Sequence, residues 1–376
     1  MMIGMPSATA AFCFWAQDDS SSIRWKTPPK SVHESSVDND SNDDNFTRSF
    51  RTPADIFYKE NKKIPRPSVV HATLAELSAA ATAKKEESTT DDNDCVNTTR
   101  KNILVIGDVH GCYDELLGLH EKAVKENDSM PFQHVILVGD LCNKGPQSAK
   151  VIRHVRLNPG WFSVRGNHDD GALAAALGDT ARLRKETYQW VRNGNDSEND
   201  KDKEEVSNEN NMTDSVVLCD DDVHWLSQLP YTIQIPGDVL GDDEDTLIVH
   251  AGLIPYCAIQ DQKISTMTTI RDLLPRCNES GEFTNFEYHN SKGGEASKQV
   301  VNAQTTCNKP VTWASSWNGP QRIIFGHDAR RKLQLHKGNW ATGLDTGAVY
   351  GGELTGIILP ERKLVSVKSK EYSPIR

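Results

Sequence analysis

The sequence predicts an α/β domain, on three observations. From Lys101 onward, short runs of apolar, β-branched residues recur, and each ends in a polar loop bearing glycine. The spacers between the first three runs have helical periodicity, so the order strand, helix, strand implies βαβ units. Before Lys101 the texture is absent.

Asn102–Ile106, His134–Val138, Trp161–Val164, Thr246–Val249 and Arg322–Phe325 read as buried strands, with Tyr113–Glu126 and Gln147–Val155 as the helices between the first three. Such a sheet gathers its ligands at the carboxyl ends of its strands. Trp340–Asp345, Leu354–Leu359 and Leu364–Lys368 read as antiparallel strands, so a second sheet packed on the first is expected. Residues 191–222, 237–245 and 276–308 are polar and aperiodic and read as loop insertions on the core. Residues 1–99 are rich in Ser, Asp, Asn, Thr and Pro and read as a low-complexity, mostly disordered tail, which leaves 100–370 as the folded domain. Ala54–Pro65 is denser in aromatics and Lys, and reads as tail with a docking segment as the alternative; what protein it would dock is open.

Composition narrows the class. Of 376 residues 37% are hydrophobic, which fits a chain only part of which enters a core. The net charge of −11 argues against a nucleic-acid coat, and no stable nucleic-acid complex is expected. That charge is local, because Val191–Asp222 holds three basic residues against eleven acidic ones. An anionic substrate elsewhere is therefore not excluded. Eight scattered cysteines with no C-x-x-C pair indicate neither a zinc knuckle nor a disulfide scaffold, and fit a reducing compartment. No apolar run approaches the roughly 18 residues of a membrane span. Met1–Ala16 is mildly apolar but lacks a basic start and a cleavage site, so a cytoplasmic place is expected, with organelle targeting by the N-terminus left open.

Five loops after apparent strands present potential metal ligands: Gly107-Asp108-Val109-His110-Gly111, Gly139-Asp140, Gly166-Asn167-His168-Asp169, Val249-His250-Ala251-Gly252 and Phe325-Gly326-His327-Asp328. One Asp or His after a strand is an ordinary cap or turn residue. Five loops converging at one end of a sheet place several carboxylates in one pocket, where they would repel and desolvate at a cost of several kcal/mol unless a cation joins them. The donors are oxygen and imidazole without thiolate, which suits one or two divalent ions, Mn, Fe, Zn or Mg, at an open catalytic centre. Asp140, the carboxylate of its loop, is placed to bridge two such ions.

Asp108-Val-His-Gly, Gly139-Asp140 with Lys144-Gly145-Pro146, Gly166-Asn-His-Asp, His250 and Gly326-His327 resemble the motifs of the phosphoprotein phosphatase superfamily of metallophosphoesterases. The finer features, Gly111-Cys112, Asn143-Lys144-Gly145-Pro146, Gly326-His-Asp-Ala-Arg330 and the run from Leu344 to Thr355, are similar to the ApaH-like phosphatases, relatives of bacterial diadenosine tetraphosphatase. The resemblance covers about 101–370 and says nothing of the tail. It implies a calcineurin-like, four-layer αββα sandwich, with one metal on Asp108, His110 and Asp140 and another on Asp140, Asn167, His250 and His327. It further implies His168 as general acid and direct attack on phosphorus by a metal-bound hydroxide.

Lys144 stands where the Ser/Thr protein phosphatases have a phosphate-binding Arg, and Asn143 where they have an Asp that orients the catalytic His. A Lys is a mobile point charge where Arg is a planar fork, and Asn cannot hold an imidazolium by charge. Asn143, Lys144, Arg165 and Arg330 are the candidate substrate-binding residues. Arg165 has loop support as its plainer role, Arg330 and Arg331 an ordinary surface role, and Tyr350 either stacks on a base or lines the pocket. Cys112 and Cys142 read as packed small residues, and His120, His134, His154 and His336 as structural. The substrates implied are dinucleoside polyphosphates, inorganic polyphosphate and mRNA caps. Protein Ser/Thr phosphatase is the alternative, and a silent scaffold a lesser one.

Overall fold

The computed structural model describes residues 58–59, 62–83, 102–193, 217–278, 283–289, 309–336, 338 and 340–374. In chain order the strands are β1 (His71–Thr73), β2 (Ile103–Ile106), β3 (His134–Leu137), β4 (Trp161–Ser163), β5 (Thr232–Ile235), β6 (Thr246–Val249), β7 (Asp272–Cys277), β8 (Phe283–His289), β9 (Val311–Thr312), β10 (Arg322–Phe325), β11 (Gln334–Leu335), β12 (Ala341–Gly343), β13 (Glu353–Leu359) and β14 (Lys363–Lys368). They form a five-stranded sheet, β14-β13-β2-β3-β4, a six-stranded sheet, β1-β5-β6-β10-β12-β11, and a small sheet, β8-β7-β9.

The continuous apolar strands follow from burial on both faces. In β2, Ile103 and Val105 join Ile136, Ile233, Ile248 and Ile324 in the core between the two large sheets. Their neighbours Leu104 and Ile106 point the other way, into a core shared with the helices. That period of two is the strand signature. The helix Tyr113–Glu126 buries Leu116, Leu119 and Ala123 along one face and carries Asp114 and Glu115 in its first turn, where the helix dipole favours negative charge. With Ser148–Leu157 and Asn167–Ala176 it covers the five-stranded sheet. The opposite outer face, Leu247, Val249, Ile323 and Phe325, packs on Met267, Trp313 and Trp317. The four-layer order is thus present, its last layer reduced to the short helix Ile264–Thr269 and the small sheet.

Four expectations need correction. The strands of the final stretch do not make a separate sheet: β12 runs parallel to β10, while β13 pairs antiparallel with both β14 and β2. The domain starts well before 100, since β1 pairs with β5 and leads into the helix Leu74–Ala83, with Leu74 only 1% exposed in the inter-sheet core. One long side chain buried there outweighs the polar composition around it. All three insertions contain ordered structure. Asp220–Gln228 is a helix whose Asp222 is buried on Arg153 and Arg156, and 283–289 is a strand of the small sheet. At 237–245 a helical turn buries Leu240. Cys277 is disulfide-bonded, which scattered spacing does not reveal. Residues 1–57, 60–61, 84–101, 194–216 and 290–308, on which the remaining tail and insertion readings fall, lie outside the described residues. Among the described residues no helix is long and apolar enough to cross a membrane.

Candidate active site

All five ligand-bearing loops meet at one end of the sheets. The His110 N–H donates to the Asp140 carbonyl at 2.8 Å, and Gly326 N–H to the His250 carbonyl at 2.7 Å. His250 Nδ1 lies 2.9 Å from the Val138 carbonyl, which ties the two sheets together beneath the site. Close approach is what the glycines permit. A Cβ on Gly166 would run into the Asp140 carboxylate, and one on Gly326 into that of Asp108. The backbone is also strained here. His110, Asp140, Asn143, Lys144 and His327 have φ of 48°, 50°, 75°, 74° and 72°, the left-handed region that L side chains avoid.

Asp140 is the hinge of the constellation. Its Oδ1 lies 3.4 Å from His250 Nε2 and its Oδ2 3.5 Å from His110 Nε2, so each oxygen addresses a different imidazole set. Burial works against its charge, but the fields of His250, His168, His110 and Lys144 prevail and hold its carboxyl below the usual range. Two donor groups share it: His110, Asp140 and His168 in one, Asp140, His250 and His327 in the other.

Asn143, fully buried, places its amide nitrogen 2.7 Å from His168 Nδ1. The backbone N–H of His168 donates to Asp140 Oδ1 at 2.8 Å, so the residue is fixed at its backbone as well as at its ring. Tyr188 stacks on it at 6.5 Å. Burial, helped by Lys144 and against the pull of Asp140, pushes the His168 imidazolium down to about 4.

The donors fit a divalent pair. Buried His327 Nε2 has no hydrogen-bond partner among the described residues. One amide atom of Asn167 sits 3.1 Å from His250 Nε2 and 2.9 Å from His327 Nδ1; as an oxygen it would face acceptors, an arrangement that a cation among them makes favourable. Asp108, 3% exposed, accepts the His327 N–H on both oxygens at 3.1 and 3.0 Å. Burial and the nearby Asp345 and Asp140 push its carboxyl well up, a repulsion of the kind that a cation removes. It stands outside the two tight donor groups, with His168 in the place the sequence reading gave it beside His110 and Asp140.

Of the substrate-binding candidates, Lys144 belongs to the site. Its ammonium is 3.0 Å from His110 Nε2 and 5.2 Å from the centre of the Tyr350 ring. Arg165 does not. It is completely buried and spends its donors on Tyr231, Leu226, Ser227, Pro65 and Asp170, so phosphate contact is replaced by scaffolding. Arg331 is engaged by Asp328 and Asp272. Arg330, past the His327 loop, is exposed. Cys112 and Cys142 are buried, and burial pushes both thiols up, Cys112 to about 12, as packed residues rather than nucleophiles.

Three residues escaped the sequence reading. Asp169 accepts the Leu141 and Gly166 N–H groups, both at 2.9 Å, and so joins the Asp140 loop to the His168 loop. Asp345, 5% exposed, contributes negative charge beside Asp108. Arg271 donates to the His327 carbonyl at 3.0 Å. Asp169 and Asp345 lay inside quoted motifs and had a signal; Arg271 lay in none.

Buried oxygen and imidazole donors around a shared carboxylate, on strained loops at the carboxyl ends of two facing sheets, define a metal-dependent phosphohydrolase. Comparison with known proteins agrees: the family model for calcineurin-like phosphoesterases matches residues 101–331. The chain belongs to that family. Similar proteins include the asymmetrical bis(5'-nucleosyl)-tetraphosphatase PrpE of Halalkalibacterium halodurans, 25% identical, covering 71% of this chain and 94% of its own. A symmetrical bis(5'-nucleosyl)-tetraphosphatase of Nitrosospira multiformis is 27% identical over 70% of this chain and 94% of its own. Among solved structures, a metallophosphoesterase from Sphaerobacter thermophilus covers 73% of this chain and 89% of its own at 14% identity, with a TM-score of 0.35.

Proposed function

We propose that the protein hydrolyses phosphoanhydride bonds of chained phosphates, a dinucleoside tetraphosphate first, inorganic polyphosphate and the triphosphate bridge of capped RNA next. The observation that carries this reading is Lys144: a single flexible ammonium, 3.0 Å from His110 Nε2, stands where a monoester would favour a planar bidentate clamp. A mobile charge follows a run of phosphates. The named relatives support the same chemistry, since this chain matches 94% of the length of two tetraphosphatases.

In this reading Asp108, His110 and Asp140 would hold one divalent ion and Asp140, Asn167, His250 and His327 the other. Bound there, the pair would supply Lewis acidity to the phosphoryl oxygens and a water acidic enough to attack at neutral pH. The chain's own groups do the rest. Asn143 engages His168 at Nδ1; with its amide oxygen turned there it would accept the Nδ1–H of an imidazolium, whose Nε2 proton then goes to the leaving oxygen and leaves a neutral ring. Lys144 and the Tyr350 ring beside it hold and orient the phosphate chain. The test is one metal-loaded preparation assayed on diadenosine tetraphosphate, polyphosphate, capped RNA and a phosphoserine peptide. A phosphopeptide hydrolysed about tenfold more efficiently than every chained substrate overturns the proposal.

A further inference from the structure

A cavity of about 570 Å³ lies beside the metal end of the six-stranded sheet, lined by Arg66, His71, Gln260, Gln262, Lys263 and Ser265 together with Val70 and Ile264. In a chain of net charge −11, no carboxylate lines it. Its wall is built by residues 66–71, which precede the stretch matched by the family model at 101–331.

The strand register places one wall of it at that end. His71 pairs with Thr232, and Thr232 with Val249, the residue before His250. His71 is therefore two strand spacings, roughly 10 Å, from a strand end that carries a metal-ligand candidate. The opposite wall is tied to the same end. Lys263, Ile264 and Ser265 begin the short helix whose Met267 carbonyl accepts the Ala251 N–H at 2.8 Å, one residue past His250. The floor is anchored too: the Pro65 carbonyl accepts from Arg165 at 3.2 Å, Tyr231 N–H donates to the Val70 carbonyl at 2.8 Å, and His71 Nδ1 is held 2.9 Å from Thr232 Oγ1. Arg66 and Lys263 are exposed, with their charges available to a ligand.

We infer that this cavity is an oxyanion subsite that holds phosphate groups of a chained substrate remote from the bond being cleaved. The inference rests on the function proposed above. A pair of cations away from the reacting phosphorus adds nothing for a single phosphoryl group, but it gives a longer chain remote binding energy that can be used at the reacting centre. Dinucleotides with short bridges and long inorganic chains would then differ in how much of the subsite they reach.

The test uses the full chain and the double variant Arg66→Gln/Lys263→Gln. Both side chains are exposed, so equal thermal midpoints check that the fold is kept. First, tripolyphosphate and orthophosphate are titrated calorimetrically into chelator-treated protein. Tripolyphosphate is expected to bind the wild type, and the variant about tenfold more weakly. Equal affinities overturn the site. Orthophosphate binding as tightly as tripolyphosphate overturns the chain-holding role in favour of a free-phosphate site. Second, the ratio of kcat/KM on long-chain polyphosphate to that on p-nitrophenyl phosphate is expected to fall about tenfold in the metal-loaded variant. An unmoved ratio overturns the substrate role even where tripolyphosphate binding falls. A wild type that cleaves no chained phosphate sinks the proposed function instead, and the titration alone then decides whether the cavity binds oxyanions.

Discussion

Asn143 and His168 meet amide nitrogen to Nδ1 at 2.7 Å, so the imidazole is oriented by a neutral group rather than by a carboxylate. Orientation survives without charge; stabilisation of an imidazolium does not. The imidazolium is therefore a strong acid, which gives its proton readily to a poor leaving group and returns to the neutral ring. His168→Ala is expected to lower turnover by about 10²–10⁴-fold for substrates with poor leaving groups, and much less for p-nitrophenyl phosphate. Equal losses on both, in steady-state assays, assign His168 to positioning or to the ligand set.

Asp140→Asn should remove most activity and most bound metal with little change in thermal midpoint. Its two oxygens face two imidazole groups, whereas the sheets below rest on apolar strands. Elemental analysis and a melting curve on one sample measure both, and a fully metal-loaded variant contradicts the bridging role.

Removing residues 1–56 should leave folding and turnover intact, whereas a chain starting at Asn97 should be destabilised or insoluble. The second cut deletes β1, Leu74 and the Pro65 carbonyl bonded to Arg165. In the full chain Leu74→Ala alone is expected to cost about 2–5 kcal/mol, read by urea unfolding. A stable, active chain from Asn97 would return β1 to the tail.

Asp222→Ala should cost about 3–5 kcal/mol, because it strands Arg153, whose side chain is 3% exposed, without its 2.7 Å partner. Substituting exposed Asp221 should cost under about 1 kcal/mol. Denaturant melts of the two variants make the comparison, and similar costs would mean that the buried pair is not a fastening.

The contrast between neighbours Asp221 and Asp222 shows why the acidic stretch misled. Composition treats them alike, and only the facing helix with Arg153 and Arg156 distinguishes them. β1 was missed for a related reason: three residues in a polar segment have no period to read, and they are a strand because β5 offers an open edge. The metal-ligand candidates were legible because each sits next to a glycine or a strand end in a short motif, and because strand ends of βαβ units must converge.

By itself the sequence determined the layered α/β core, the helix Tyr113–Glu126 to the residue, the five loops, and the oxygen and imidazole character of the site. These are local properties, since periodicity and donor chemistry belong to residues close together in the chain. Only the tertiary structure decided that Asp140 turns one oxygen to His110 and the other to His250, that Arg165 is scaffold, that Arg271 and Asp345 flank the centre, and that Arg66, Val70 and His71 help wall a basic cavity at the same end of the sheet. Each of those depends on which strands become neighbours. That is settled by the packing of the whole chain, and no window of the sequence contains it.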